Sequence, residues 1–167
     1  MSTVCLSMIV KNETHIIHEC LNSMWQNIDY WVIVDTGSTD GTQDLIRTFF
    51  AEKGIPGELI EKPWVDFGYN RSEALALCDG KADYAWMIDA DDKIVGNFVY
   101  PNGKNLVHDA YALKCGRDGC VWWRNKIFKT GIGWKHCDIP VNNQALGNRH
   151  DLIPLTNHHR ITLLLYF

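Results

Sequence analysis

Lysine and arginine never gather on one stretch of this chain, and its formal net charge is −4. A protein that grips a phosphate backbone needs a basic face, so no nucleic-acid partner is expected. Also missing is any apolar run of the roughly 20 residues that cross a bilayer. The final Ile161 to Phe167 stretch is far shorter, and no membrane span is expected. The opening Val4 to Val10 segment is too short for a signal peptide and lacks its basic flank; it reads as a buried strand. No Gly/Ser, Pro or charge-block segment offers a linker, and no internal repeat is visible. The 167 residues therefore read as one domain, 1–167, long enough to bury a sizeable core.

Cysteine is present but without a disulfide pattern. The six cysteines, Cys5, Cys20, Cys78, Cys115, Cys120 and Cys137, lie mostly inside apolar stretches of a chain that needs no cross-links. Buried free thiols in a reducing compartment are the favoured reading, which implies a cytoplasmic location. Cys115 and Cys120 have no second pair with which to bind zinc.

Through the first hundred residues, strand-like and helix-like apolar periods alternate, as in a mostly parallel α/β sheet flanked by helices. Strands are predicted over Val4 to Val10, up to Asp35, over Glu58 to Lys62, and leading to Asp89. Helices are predicted over Glu13 to Trp25, from Asp40 to a stop at Gly54, and over Asn70 to Cys78 with Gly80 after it. Asp40 with Gln43 three residues on resembles a capping box. Beyond Lys93 the pattern weakens, and Ala110 to Cys115, Val121 to Trp123 and Lys126 to Lys129 read as unordered strand candidates.

Two polar runs stand directly after apolar strands: Asp35-Thr36-Gly37-Ser38-Thr39-Asp40-Gly41-Thr42 and Asp89-Ala90-Asp91-Asp92. Both should emerge at carboxyl ends of strands, the edge where open α/β sheets hold nucleotides. If Asp89 and Asp91 stay extended, their side chains point to one side. Two unit charges ~5 Å apart repel by about 3 kcal/mol at an effective dielectric near 20, so a positive partner is expected. Mg²⁺ or Mn²⁺ suits such oxygen ligands and shares its remaining positions between water and substrate phosphate. The plainer alternative is a solvated acidic turn. The first run also has a plain reading, a glycine turn with Asp40 capping a helix. It is not a dinucleotide fingerprint, because its glycine spacing is wrong. Arg71, on the intervening helix, adds a cation that can meet a diphosphate.

Four stretches together resemble the family 2 glycosyltransferases, which have the nucleotide-sugar-binding fold called GT-A: Met8 to Glu13, Val34 to Thr42, Pro63 to Arg71 with Ala74-Leu75, and Ile88 to Asp92. The resemblance covers residues 4 to 92, and a fainter echo runs through Arg124 to Trp134. It divides the domain into a nucleotide-sugar-binding part, 1–93, and an acceptor-side part, 94–167. It implies that Val10 and Glu13 line the nucleotide base, that Asp35 hydrogen-bonds it, and that Arg71 approaches the base or diphosphate. Asp89 matches the first residue of the family's DxD motif, contacting ribose or metal, with Ala90 beside it in the nucleotide-sugar site. Asp91 matches the direct metal ligand, and Asp92 is a neighbour.

The resemblance further implies a metal-dependent, inverting transfer from a nucleotide-diphosphate sugar, UDP-sugar favoured, to a glycan, lipid or protein acceptor hydroxyl, with a base removing the acceptor proton. Relatives place a His-Glu pair after the residue matching Trp134, where this chain has Val141-Asn142. Asp138 is the candidate base and His136 a second substitute, each also readable as an ordinary loop residue. The alternative is a degenerate or truncated transferase that binds nucleotide sugar without catalysis. A nucleotidyltransferase is disfavoured by the lack of a Gly-rich, Lys-containing phosphate loop. His15 and His18 share a helix face but have no third ligand and read as a surface pair, as do His158-His159. Trp122-Trp123 and Trp134 read as core before they read as sugar-stacking rings.

Overall fold

The computed structural model describes residues 1–117, 120–138 and 150–154, without the side chains of 117, 137, 138 and 150–154. The order of elements is β1 Val4–Val10, α1 Ile17–Met24, β2 Tyr30–Asp35, α2 Thr42–Lys53, β3 Gly57–Glu61, α3 Phe67–Ala76, β4 Tyr84–Met87, β5 Ala110–Arg117, β6 Cys120–Lys129, β7 Trp134–Asp138 and β8 His150–Pro154. Six strands form one sheet in the order β3-β2-β1-β4-β6-β5, and β7 and β8 pair separately. The first four are mutually parallel. β6 joins β4 antiparallel and folds back on β5 as a hairpin with a register shift at Tyr111/Ala112. The mostly parallel α/β sheet read from the sequence is thus present, with an antiparallel hairpin on one side.

β1 lies between β2 and β4 and is buried along nearly its whole length, as its composition, apolar except for Ser7, requires of a central strand. One face packs Leu6, Met8 and Val10 with Ile17, Leu21 and Met24 of α1 and Ile46, Phe49 and Phe50 of α2. The other packs Cys5 and Val32 with Leu75 and Cys78 beside α3. Fully burying a leucine, isoleucine or phenylalanine side chain contributes about 1.5–3 kcal/mol each. Trp31 stacks on Phe50 at 4.5 Å between centroids and donates from its indole to the Ile55 carbonyl at 3.0 Å. Gly57 lies against that ring, where a Cβ would collide with the indole.

Several boundaries differ from the sequence reading. α1 begins at Ile17, not Glu13; the Glu13 carbonyl accepts from Ile16 and Ile17 in a turn ahead of it. α2 begins at Thr42 behind Gly41, whose φ of +93° suits glycine. The expected capping box does not form: Asp40 bonds Thr42, and Gln43 reaches Asp35. Gly54 ends α2 in the left-handed region as expected. α3 begins at Phe67, three residues early, because Asp66 caps it by accepting from the Tyr69 amide at 2.6 Å. The two strand candidates at 121–123 and 126–129 are one strand, β6. β7 packs on α3, with the His136 amide donating to Ser72 Oγ at 2.8 Å.

Among the described residues no helix is long and apolar enough to cross a membrane. Cys5, Cys20 and Cys78 are buried free thiols, and burial pushes the Cys20 thiol up to about 12. Cys115 is half-buried and Cys120 exposed, outside the burial read for most of the cysteines, because they sit in the outer hairpin. His158-His159 and Ile161 to Phe167 lie outside the described residues.

Candidate active site at the strand ends

The sheet order brings three loops side by side: residues 11–14 after β1, 36–41 after β2 and 88–92 after β4. Strand order reverses at β1, so these loops flank the switch point where a crevice opens beyond the carboxyl ends of parallel strands. Val10 pairs with Asp35 in the sheet, and the Val10 carbonyl accepts from both the amide and hydroxyl of Thr36 at 2.9 and 3.0 Å. Ile88 continues from β4 by donating to the Ser7 carbonyl.

The first two loops lock together through uncharged donors. The Asn12 amide donates to Ser38 Oγ at 2.9 Å, and Asn12 Oδ1 accepts from the Thr39 amide at 2.8 Å. Asn12 takes a left-handed φ of +59° to do so. The Glu13 amide donates to Thr42 Oγ1 at 2.8 Å, and Asp40 Oδ2 accepts from the Thr14 hydroxyl at 2.8 Å. Hydrogen bonds from Thr42, and then from Thr14, hold the Asp40 carboxyl well below the usual range. Asn12, Thr14 and Ser38 were given no individual role in the sequence, and Gln43 only that of a capping partner; an Asn two residues after a strand was the one available hint of a left-handed turn.

Asp35, 1% exposed, stands at the centre of this lattice. Its Oδ1 accepts from the Gly37 and Ser38 amides at 2.9 and 2.8 Å and from Gln43 Nε2 at 3.0 Å. Burial opposes its ionised form, but the bonds from Ser38, Gln43 and Gly37 outweigh that, so its carboxyl stays below the ordinary value. Its Oδ2 is buried without a hydrogen-bond partner among the described residues.

Asp89 and Asp91 do not continue the strand. β4 ends at Met87, and the Asp92 amide closes a turn on the Asp89 carbonyl at 3.0 Å. The extended backbone that would send both side chains to one side is therefore not adopted, and cations hold the Asp89 and Asp92 carboxylates in the turn. Arg71, in the second turn of α3, donates to Asp89 Oδ1 at 2.7 Å. Lys126 Nζ on β6 lies 2.7 Å from Asp92 Oδ2 and 4.0 Å from Asp89 Oδ2. Burial raises the Asp89 carboxyl, and Lys126 and Arg71 more than reverse it, leaving it below its ordinary value. Ala90 is packed in the core and Asp91 is exposed. Burial also raises the Glu13 carboxyl; His15 opposes this, and Asp91 and Asp40 add to it, so the turn after β4 and the loop after β1 feel each other's charge.

Lys126 is the site residue missed in the sequence, and it comes from the half of the chain assigned to the acceptor side. Its signal was a lysine beside Ile127 and Phe128 in a strand whose interior neighbours are fully buried. No group of three or more His, Cys, Asp or Glu side chains forms a ready metal cage among the described residues. His15 precedes α1 and is not on a helix with His18, which packs its ring edge against Phe49. Trp134 is buried against Phe128, as expected of core, whereas Trp122 is 42% exposed on the hairpin. His136 is buried. Asp138 ends β7, but its side chain, like Val141-Asn142, lies outside the described residues.

The family model for glycosyl transferase family 2 matches residues 5–141, a span that takes in every strand-end loop just described. This chain belongs to glycosyltransferase family 2. Its mostly parallel sheet with crossover helices is the GT-A fold of that family. A lipopolysaccharide core biosynthesis glycosyltransferase, LpsC, of Rhizobium meliloti is 31% identical over 129 residues, covering 76% of this chain and 43% of that protein. The SPbeta prophage-derived glycosyltransferase SunS of Bacillus subtilis is 32% identical over 90 residues, covering 54% of this chain and 20% of that protein. This glycosyltransferase chain thus spans less than half the length of these relatives. Among solved structures, S. aureus TarS 1-349 is similar with a TM-score of 0.46 at 21% identity, covering 55% of this chain and 28% of that one. The mannosyltransferase PcManGT of Pyrobaculum calidifontis, solved with GDP-Man and Mn²⁺, gives 0.46 at 22%, covering 54% and 28%.

Proposed function

We propose that this chain binds a nucleotide-diphosphate sugar, UDP-sugar favoured, at the crevice beside β1 and transfers the sugar with inversion to an acceptor hydroxyl. The observation that carries this reading is Asp35 Oδ2, buried and without a donor at the switch point. A carboxylate oxygen in that state costs free energy until a donor reaches it, and a nucleobase N–H is a donor of the right kind. Val10 and Glu13 then line the base. Arg71 meets the diphosphate, and Asp89 with the backbone of Ala90 meets the ribose and sugar.

Mn²⁺ or Mg²⁺ fits the acidic turn by donor chemistry. Asp91 and Asp89 supply carboxylate oxygens on an open turn, and such ions are held by one or two carboxylates completed by phosphate and water. When bound, the ion supplies charge that stabilises the departing nucleoside diphosphate. Arg71 orients the diphosphate, and Asp138 removes the acceptor proton. In this reading the chain is one domain whose donor part is 1–93, acting in a reducing, cytoplasmic compartment that suits its free thiols.

A second reading, donor binding without catalysis, is favoured by one observation: this chain has Val141-Asn142 where the family resemblance implies a His-Glu pair. Release of nucleoside diphosphate from a panel of nucleotide sugars, with Mn²⁺ or with excess chelator, separates the two. Metal-dependent turnover of one donor with a glycan, lipid or peptide acceptor supports the transferase. Tight donor binding with no turnover supports the second reading, and no binding of any nucleotide sugar overturns both.

A further inference from the structure

A lysine buried as deeply as Lys126, 7% exposed, is costly to desolvate and is retained only where a counter-charge repays it. Its ammonium is in direct contact with Asp92 and 4.0 Å from Asp89 Oδ2, while Arg71 occupies Asp89 Oδ1. The turn therefore already holds two cations among its three carboxylates, and Asp92 Oδ2 also accepts from the Asp89 amide. A divalent ion approaching Asp89 and Asp91 meets an ammonium 4.0 Å from Asp89 Oδ2 and a guanidinium on Asp89 Oδ1, and their charges oppose it.

We propose that Lys126 is a resident cation that competes with a divalent metal ion for the Asp89–Asp92 turn and so keeps that ion's affinity low in the nucleotide-free protein. The metal assignment rests on the proposed donor reading. Under that reading, a nucleoside diphosphate gives Lys126 and Arg71 phosphate oxygens to pair with, releasing carboxylates to the ion. Lys126 is a positioning residue in this scheme. It differs from a merely structural lysine in one respect: removing its charge should tighten metal binding, whereas loss of a structural support would weaken it.

The test titrates the full chain with Mn²⁺ and reads free ion by electron paramagnetic resonance, without nucleotide. Lys126→Met should bind Mn²⁺ about ten-fold more tightly than the wild type, since the partly exposed turn screens much of the Coulomb term. Lys126→Arg keeps the charge and should stay near the wild-type value. Adding Asp91→Asn to Lys126→Met should abolish the gain. Lys126→Met binding Mn²⁺ no more tightly than the wild type overturns the proposal, as does a gain that survives Asp91→Asn. Circular dichroism monitors folding, and Lys126→Gln, read the same way, decides the matter if Lys126→Met does not fold. A separate arm adds UDP to the wild type. If UDP leaves Mn²⁺ affinity unchanged while Lys126→Met still gains, the donor reading fails and the competing lysine stands.

Discussion

Two acidic loops at the same sheet edge, on either side of the loop after β1, are held in opposite ways. The loop after β2 is fastened by amides and hydroxyls from its own residues and from the neighbouring loop after β1. The turn after β4 is fastened by Arg71 and Lys126, charges delivered from a helix and from the antiparallel strand β6. Neutral donors in a short-range lattice fix one geometry and carry no net charge. Ion pairs can be exchanged for other ions, at a free-energy difference set by solvation as much as by contact. The first loop is built to present one oxygen of Asp35 rigidly; the second is built to trade its partners.

The largest effect that can break this contrast is expected at Asp35. Asp35→Ala removes a buried acceptor of three hydrogen bonds and should destabilise the protein by about 3 kcal/mol in urea denaturation, since bonds to a charged group contribute roughly 1.5–3 kcal/mol each and some amides will find water. Asp35→Asn, which keeps the shape, should retain most of the stability while weakening uridine and UDP binding alike. A change that weakens UDP but leaves uridine untouched would put Asp35 on the phosphate side of the ligand.

Next comes Arg71. Arg71→Met should weaken UDP by about ten-fold or more and uridine little, because the pair it breaks is mostly buried and its guanidinium faces the diphosphate reading. Equal losses for both ligands would erase the distinction between the two loops.

The contrast also explains what the sequence disclosed. β1 was legible to the residue, because a central strand carries a run that is apolar but for one small serine, and Asp35 was legible because it ends the next one. The capping box at Asp40 failed since Thr14, distant in sequence but adjacent across β1 and β2, claimed one oxygen and Thr42 the other. Asp89 and Asp91 were recognisable as chemistry but not as geometry, because one of the two cations that hold their turn, Lys126, comes from a strand pairing that no local period reveals. The start of α3 depended on one capping carboxylate, Asp66, against a propensity signal that began later.

A smaller effect concerns pH. Both Asp35 and Asp40 have carboxyls held below their ordinary value in the folded state. Groups depressed in this way stabilise the fold above the unfolded carboxylate value of ~3.9, and that contribution is lost as pH falls through the lower folded value. Amide NMR shifts of Ser38, Thr14 and Gly37 should stay constant as pH is lowered to about 4 and move only below it. Movement centred on or above that value would mean that the lattice does not hold these carboxylates ionised. Asp40→Ala, at an exposed position, should loosen the Thr14 and Thr42 amides to hydrogen exchange with little change in global stability.

Whether the two loops form one donor site is answered by calorimetry of UDP and of uridine, each with Mn²⁺ and with excess chelator, on the wild type and on Asp91→Asn. UDP should bind markedly more tightly with Mn²⁺, Asp91→Asn should remove that gain, and uridine should bind the same under every condition. UDP affinity that is indifferent to chelator and to Asp91→Asn would contradict a metal-bridged diphosphate at the Asp89–Asp92 turn and, with it, the joint site.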